Sequence, residues 1–161
     1  MKRAVFAGTF DPVTNGHLDL ARRALRVVDQ LTVAVADRPE KGVLFSQKER
    51  VAMLQEALAS ESNLTVEPFQ GLLVDYAKKN GIGIIIRGLR FISDFEYEFQ
   101  MALMNRRLGP EIETLFLMPS ETYTYVNSTL IKEIARNGGD VASFVPSRVA
   151  QSLKAAFGQK R

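Results

Sequence analysis

The chain has 161 residues, of which 46% are hydrophobic and 24% are charged, and this size and balance predict one globular domain over residues 1–161. It contains no cysteine, which excludes disulfides, thiolate catalysis and cysteine zinc sites, and it has no apolar run of about 18 residues that would predict a membrane span. Because the sequence shows no secretory signal and no membrane span, we expect a cytoplasmic protein without a membrane partner. The net charge of +3 is small and dispersed, so a nucleic-acid partner is not expected either.

Apolar segments alternate with amphipathic ones along the chain, which is typical of repeated strand–helix units. The strand candidates are 3–7, 31–36, 64–68, 82–87 and 114–118, and the helix candidates are 16–28, 47–59, 72–80, 93–108, 128–137 and 146–157. Ser46 with Glu49 and Ser93 with Glu96 match capping boxes, which predict where the second and fourth helices begin. The pattern predicts an α/β fold with an open parallel sheet of five strands, helices on both faces, C-terminal helices 128–157 packed on it, and a frayed tail at 158–161.

The stretch GTFDPVTNGH, residues 8–17, follows the first strand, opens the first helix and contains the only histidine of the chain, His17. Ligands of open parallel sheets bind at the carboxyl ends of strands, and a helix N-terminus offers free amides and a positive dipole end. An anion at this turn would meet those amides, Thr9 and the imidazole, so the stretch indicates either a phosphate site or an ordinary turn with a cap at Thr14 or Asn15 and a surface histidine. Asp11 is a candidate either for a metal or for closing the turn.

The stretch IIIRGLRFISDFEYE, residues 84–98, places Arg87 and Arg90 after the most apolar strand. Two guanidiniums there can clamp phosphates, and Glu98 could orient a ribose, a metal-bound water or an arginine. The alternative is a solvated salt-bridge network of Arg87, Arg90, Asp94 and Glu98. The spacing of GIGIIIRG, residues 81–88, is wrong for a dinucleotide-binding fingerprint, and the chain has no Walker A motif.

The stretch YTYVNSTLIKE, residues 123–133, follows the fifth strand and gives a second polar helix start at Asn127, Ser128 and Thr129. It can hold phosphate oxygens or serve as a plain N-cap. Lys41 adds a cation in the loop after the second strand. The aromatic residues of FEYEFQMALM, 95–104, have helical spacing and belong either to the core or to a subunit contact.

Four of these features lie at carboxyl ends of strands in one predicted sheet, and together they describe a site for a polyphosphate. The single histidine has no evident serine and aspartate partners, which argues against a hydrolase triad. Phosphoryl or nucleotidyl transfer depends mainly on positioning and charge stabilisation, so this class of reaction is favoured.

The motifs resemble those of a known family. TNGH, residues 14–17, is similar to the [TH]xGH signature of the nucleotidyltransferase superfamily, and NSTLIK, residues 127–132, to its second motif, ISSTxxR. With RGLRFISDFEYE, FLMPS and the Lys41 loop, the chain from residue 3 to about 150 resembles the bacterial phosphopantetheine adenylyltransferases. The RGLR…DFEYE block distinguishes that family from its relatives.

The resemblance implies a Rossmann-like fold, a homohexamer, and transfer of the adenylyl group of ATP to 4′-phosphopantetheine, giving dephospho-coenzyme A and pyrophosphate. It implies direct in-line attack without a covalent enzyme intermediate, since the acceptor phosphate is itself a nucleophile. Mg²⁺ would be bound mainly through the ATP phosphates with no protein ligand assigned, and coenzyme A is a candidate inhibitor.

Residue roles follow from the same resemblance. His17 would stabilise the transition state, Lys41 and Arg90 would act with it, and the acceptor would contact Thr9, Lys41, Leu73 and Arg87. The implied ATP-binding residues are Thr9, Phe10, His17, Gly88, Leu89, Arg90, Glu98, Tyr123, Thr124, Tyr125, Val126, Asn127, Ser128 and Thr129. Three positions depart from the pattern: Asn127 replaces a serine, Lys132 an arginine, and Tyr123 the tryptophan of some members.

Three alternatives stay open. Another nucleotidyltransferase would take nicotinamide mononucleotide or a sugar or glycerol phosphate, against which the RGLR…DFEYE block argues. A nucleotide-binding regulator would lack turnover, against which the intact histidine and cations argue. An RNA-binding protein fits the basic charge, but the chain has no RNP-like aromatic motif.

Overall fold

The computed structural model describes residues 1–38, 40 and 42–158. It contains one open sheet of five parallel strands in the order β3-β2-β1-β4-β5, so the predicted fold class is confirmed. The strands are β1 Arg3–Gly8, β2 Gln30–Ala36, β3 Leu64–Phe69, β4 Ile84–Gly88 and β5 Glu113–Leu117. The helices are α1 Asn15–Ala24, α2 Gln47–Ala57, α3 Leu73–Lys79, α4 Ile92–Leu108, α5 Ser128–Arg136 and α6 Ser147–Phe157.

Helices cover both faces of the sheet because the central strands are apolar on both sides. Along β1, Ala4 and Phe6 belong to one core and Val5 and Ala7 to the other, as the alternation of strand side chains requires. The first core contains buried residues of α1, α2, α5 and α6, and the second contains Val74 and Ala77 of α3.

The C-terminal helices pack on the first core through Ile131, Val149 and Leu153. The bounds of the domain stay a prediction, and residues 159–161 of the predicted tail lie outside the described residues.

The direction of the chain across the sheet reverses between β1 and β4. From β1 the chain adds β2 and β3 on one side, then returns to place β4 and β5 on the other. The helices on the two faces diverge at such a switch point and leave a crevice beyond the strand ends. Gly88 ends β4 there, and a Cβ at Gly88 would lie 2.8 Å from Cδ2 of Leu20, so any larger residue would have to displace the Leu20 side chain of α1.

The predicted capping boxes have different outcomes. The Ser46–Glu49 box at α2 is confirmed, with the Ser46 N–H donating to Glu49 Oε2 over 2.8 Å. The Ser93–Glu96 box is wrong, because α4 begins one residue earlier, at Ile92, with Phe91 as N-cap and no side-chain cap. Ser93 therefore already lies within the first turn of the helix and cannot cap it.

Helix α4 is unusual because Glu98 and Asn105 are its only buried residues. Eight of its large apolar side chains are exposed: Ile92, Phe95, Tyr97, Phe99, Met101, Leu103, Met104 and Leu108. Of the two interpretations left open for this segment, core is therefore wrong within the described chain. Across the described residues, no helix combines the length and apolar character that a bilayer span requires.

Candidate active site

The cavity at the switch point has a volume of about 450 Å³. It opens beyond the carboxyl ends of β1 and β4 and is bordered by the first turns of α1 and α5. Its lining residues are Phe6, Ala7, Gly8, Thr9, Phe10, Asp11, Thr14, Gly16, His17, Leu20, Val43, Arg87, Gly88, Arg90, Asp94, Glu98, Pro119, Tyr123, Val126, Asn127, Ser128, Thr129 and Lys132.

His17 belongs to a capping box that begins α1. The Thr14 Oγ1 accepts a long hydrogen bond from the His17 N–H at 3.4 Å, and the Thr14 N–H donates to Nδ1 of the ring at 3.0 Å. A ring nitrogen that accepts from a backbone N–H carries no proton, so the neutral ring of His17 carries its proton on Nε2. The Phe10 ring packs edge-on against the imidazole, with 5.0 Å between ring centroids.

The imidazole is neutral at physiological pH. Burial and, to a smaller extent, the positive charge of Arg90 together lower the pKa of His17 from 6.5 to about 4. At physiological pH the His17 ring is therefore an uncharged hydrogen-bond donor and not a cation.

Arg87 and Glu98 form a bidentate ion pair between the end of β4 and α4. Arg87 Nε donates to Glu98 Oε2 at 2.8 Å and Nη2 donates to Oε1 at 2.5 Å, while Nη1 donates to the Ala7 carbonyl at 3.1 Å. The hydrogen bonds to Glu98 raise the pKa of Arg87 and outweigh the opposing effect of burial. Glu98 thus orients an arginine, which is one of the roles predicted for it.

Arg90 is held less firmly. Its Nη1 donates to the Val126 carbonyl at 3.3 Å, and its Nε lies 3.6 Å from Asp94 Oδ2. Asp94 Oδ2 is a buried atom that accepts no hydrogen bond from the described residues. The predicted salt-bridge network therefore exists as two separate pairs, and both border the cavity.

The first turn of α5 faces the cavity. Asn127 is its N-cap, with Oδ1 accepting from the Leu130 N–H at 2.8 Å, and Ser128 Oγ donates to the Pro12 carbonyl at 2.7 Å. The Ser128 and Thr129 amides have no protein partner within the described parts of the chain. The segment is thus both an N-cap and a turn with free donors, which are the two alternatives raised by its sequence.

Asp11 closes the turn. Its carboxylate is 5% exposed and accepts from the Leu44 and Phe45 amides at 2.8 and 2.9 Å and from Lys132 Nζ at 2.8 Å. Lys132 lines the cavity but was not among the predicted site residues. The sequence could have indicated this residue, because Lys132 lies four residues after the predicted site residue Ser128 and therefore on the same face of α5.

Twelve predicted site residues border this cavity: Thr9, Phe10, His17, Arg87, Gly88, Arg90, Glu98, Tyr123, Val126, Asn127, Ser128 and Thr129. Lys41 lies outside the described residues.

Four predicted site residues do not border the cavity. Leu73 begins α3 and packs against the second core. The Leu89 N–H donates to the Leu117 carbonyl, Thr124 Oγ1 donates to the Ser120 carbonyl, and Tyr125 packs edge-on against Phe144. Their roles in binding stay predictions.

The cytidylyltransferase-like family matches residues 5–134. A phosphopantetheine adenylyltransferase of Alkaliphilus metalliredigens is 49% identical over 153 residues, which are 95% of this chain and 98% of the relative. Another, from Opitutus terrae, is 50% identical over 160 residues, covering 99% of this chain and 100% of the relative.

A similar solved structure is that of a bifunctional NMN adenylyltransferase/ADP ribose pyrophosphatase from Francisella tularensis. The TM-score is 0.73 and the identity 17%; the match covers 99% of this chain and 50% of that protein, so it supports the fold alone.

The two full-length relatives share half of all residues with this chain, and the family match spans the turn that carries His17 and the first turn of α5. The chain is therefore a nucleotidyltransferase that belongs to the phosphopantetheine adenylyltransferase family.

Proposed function

We propose that this enzyme transfers the adenylyl group of ATP to 4′-phosphopantetheine, giving dephospho-coenzyme A and pyrophosphate. The observation that carries the proposal is the full-length similarity to two proteins named for this activity. The cavity supports it, because a neutral donor, several cations and free amides of a helix N-terminus converge there, as a reaction between two phosphate-bearing substrates requires.

The reaction needs no covalent enzyme intermediate. A phosphate oxygen of 4′-phosphopantetheine attacks the α-phosphorus of ATP, the bond from that phosphorus to the bridging oxygen breaks, and pyrophosphate leaves with its electron pair. Because the acceptor phosphate is an anion at neutral pH, no general base has to remove a proton. The protein must hold two anions in line and stabilise the charge on a five-coordinate phosphorus.

His17 suits the stabilising role. Its Nδ1 is engaged by Thr14, so the proton on Nε2 is available to a non-bridging oxygen of the α-phosphate. A neutral donor also keeps its proton as charge develops on that oxygen, so His17 stabilises the transition state without being consumed.

The cationic side chains of the cavity differ in how firmly the protein holds them. Arg87 is fixed by Glu98 and would hold the acceptor phosphate in one place. Arg90, whose side chain is 39% exposed, has only long polar contacts and would follow the ATP phosphates. Lys132 is held by Asp11 at 2.8 Å and would add fixed positive charge to the cavity. Lys41 remains part of the proposal as a further cation for the acceptor, as does Leu73 as an apolar contact for its pantetheine arm.

The residues fit a Mg²⁺ ion that is held mainly by ATP. No group of three or more His, Asp or Glu side chains converges within the described residues, so a cage made of protein alone is not expected there. Mg²⁺ on nucleotides ordinarily takes one or two carboxylates and keeps several waters, and Asp94, whose Oδ2 lies 3.6 Å from Arg90 Nε but accepts no hydrogen bond from the described residues, would supply one. Bound Mg²⁺ would neutralise phosphate charge.

We also propose that the enzyme is a homohexamer, which the family resemblance implies and the exposed apolar side chains of α4 support. Coenzyme A contains the pantetheine arm of the acceptor and an adenine nucleotide, so it would compete for the same cavity. A cytoplasmic location stays a prediction from composition.

The deciding experiment measures pyrophosphate release from Mg·ATP with and without 4′-phosphopantetheine, with dephospho-coenzyme A identified by mass spectrometry. We expect release only when the acceptor is present. Release with nicotinamide mononucleotide or glycerol phosphate instead would keep adenylyl transfer and overturn the assigned acceptor. No release with any phosphorylated acceptor would overturn the reaction.

A further inference from the structure

Arg50 is a charged residue without any exposure to solvent. It lies in the first turns of α2 with 0% of its surface exposed, and it does not border the cavity. Burying a charge is unfavourable unless the group is well hydrogen-bonded, so the partners of this side chain indicate why it is there.

Those partners are backbone carbonyls of three separate segments. Arg50 Nε donates to Phe45 O at 2.9 Å, and Nη1 donates to Thr9 O at 2.6 Å and to Ala36 O at 2.8 Å. Thr9 follows β1, Ala36 ends β2 and Phe45 precedes α2. One planar group therefore joins three segments near the strand ends, with donor directions that the flat guanidinium fixes.

Asp11 supplies the opposite charge for the same segments. It accepts from the Leu44 and Phe45 amides while Arg50 donates to the Phe45 carbonyl, so residues 44 and 45 are held on both sides of their backbone. Burial lowers the pKa of Arg50, and the carboxylates of Asp11 and Asp37 oppose that shift. Asp11 also holds Lys132, which connects this arrangement to a cation of the cavity.

The contact with Thr9 matters because of the residue that follows. Phe10 has a backbone φ of 52°, a value that residues other than glycine rarely adopt, and its side chain is buried, with 3% of the residue exposed. Such a conformation persists only where the surroundings impose it. The hydrogen bond from Arg50 fixes the plane of the Thr9–Phe10 peptide, and the Phe10 ring in turn packs against the imidazole of His17.

We propose that Arg50 is a positioning residue of the adenylyl transfer, which holds the Thr9–Phe10 backbone and, together with Asp11, the backbone of Leu44 and Phe45 in the arrangement that the reaction needs. It acts through Thr9, Phe10 and Val43, which border the cavity, and not by touching a substrate. The expected effect of Arg50 on kcat rests on the proposed function. Its expected effect on the order of the backbone does not depend on which reaction the enzyme catalyses.

The test compares Arg50→Lys with Leu54→Val. Lysine keeps the charge but cannot reproduce three donor directions, and Leu54 is a core residue of the same helix with 1% exposure. We expect Arg50→Lys to lower kcat by roughly 10- to 100-fold, as small misplacements of reacting groups do, with the KM for ATP changed less. Leu54→Val should lower Tm while kcat stays within about twofold of wild type, as is usual for a small volume change away from the site.

Hydrogen–deuterium exchange separates this inference from the proposed reaction. In Arg50→Lys we expect faster exchange of the Leu44 and Phe45 amides, which donate to Asp11, with exchange in β1 and β2 unchanged. If the wild-type protein makes no dephospho-coenzyme A, the proposed function is overturned, but the proposal for Arg50 is not. The exchange rates then decide whether Arg50 holds the backbone. Exchange like that of wild type, or a kcat equal to that of Leu54→Val, would overturn the positioning role.

Discussion

The Thr14 N–H and His17 Nδ1 lie 3.0 Å apart, so one hydrogen bond both begins α1 and determines which ring nitrogen carries the proton. Glutamate and glutamine are the usual residues at this position of a capping box. A histidine there keeps the cap and adds a donor on its far nitrogen, and His17 borders the cavity. This dual role of His17 allows its structural and chemical contributions to be measured separately.

Substitutions of His17 should separate its contribution to stability, as part of the helix cap, from its contribution to kcat. We expect His17→Ala to lower kcat by roughly 10²–10³ through loss of a preorganised donor, and to lower the free energy of unfolding by about 1 kcal/mol through loss of the cap. His17→Gln can accept from Thr14 again, so it should regain most of the stability but not the rate. Steady-state kinetics and urea unfolding of both variants check this. A His17→Ala enzyme with near-normal kcat would remove His17 from the mechanism.

The pKa of His17 predicts how stability depends on pH. Its value in the folded protein, about 4, lies below the ordinary value of 6.5, so the unfolded chain takes up a proton first as pH falls. The contribution of this group is thus fully present above pH 6.5 and is lost as pH falls towards 4. Because the chain has one histidine, a single ring resonance in an NMR titration should show a midpoint near 4.

His17→Gln is the matched control for that titration. The difference in unfolding free energy between pH 7 and pH 4.5 should be smaller in the variant than in wild type, since other groups such as Glu49 titrate in both. A ring resonance with a midpoint near 6.5 would show that the imidazole is not desolvated.

The Arg87–Glu98 pair should control acceptor binding. We expect Arg87→Ala to raise the KM for 4′-phosphopantetheine by about tenfold or more, because hydrogen bonds to charged groups contribute about 1.5–3 kcal/mol. Glu98→Gln should raise it less, since Arg87 stays in place but is less firmly oriented. In the double variant the two effects should not add, because the residues are in contact.

Arg22→Ala is a suitable control, because its pair with Glu61 lies on the surface and outside the cavity. An unchanged KM in Arg87→Ala would contradict the assignment of this arginine to the acceptor.

The exposed side chains of α4 should mediate assembly. We expect wild type to have six times the 18.0 kDa chain mass in light scattering, and Met104→Glu to dissociate it because a charge would be buried in an apolar contact. Val27→Glu is the control, since Val27 is 47% exposed and lies just after α1. A wild-type monomer, or a Met104→Glu protein of unchanged mass, would rule out α4 as the interface.

The sequence predicts the strands and helices well because the pattern of apolar residues is determined mainly by burial against one sheet. All five strands and six helices lie within a few residues of their predicted positions. The polar segments 8–17, 84–98 and 123–133 were recognisable because each includes, or follows by a few residues, the carboxyl end of a strand, β1, β4 and β5 respectively. Parallel strands bring such segments to one edge whatever the order of the strands.

Several features of the structure could not be predicted from the sequence, mainly because they depend on contacts between residues far apart in the chain. Arg50 looks like an ordinary surface residue of a helix, and nothing local distinguishes it from Lys48 or Arg148. The role of Asp11 depends on amides 33 and 34 residues away. Ser93 resembles an N-cap, but the helix begins earlier because the Phe91 carbonyl already accepts from the Asp94 N–H. The apolar spacing of α4 does not distinguish a core from an outer face.

The contacts that shape the cavity span most of the chain: 121 residues separate Asp11 from Lys132, 116 separate Pro12 from Ser128, and 101 separate Asp19 from Ser120. Helices can form from local sequence, but loops of this length close slowly during folding. In refolding, circular dichroism would therefore recover before catalysis, and a preparation with full helical signal could still be inactive. Recovered activity is the stricter measure of native structure for this enzyme.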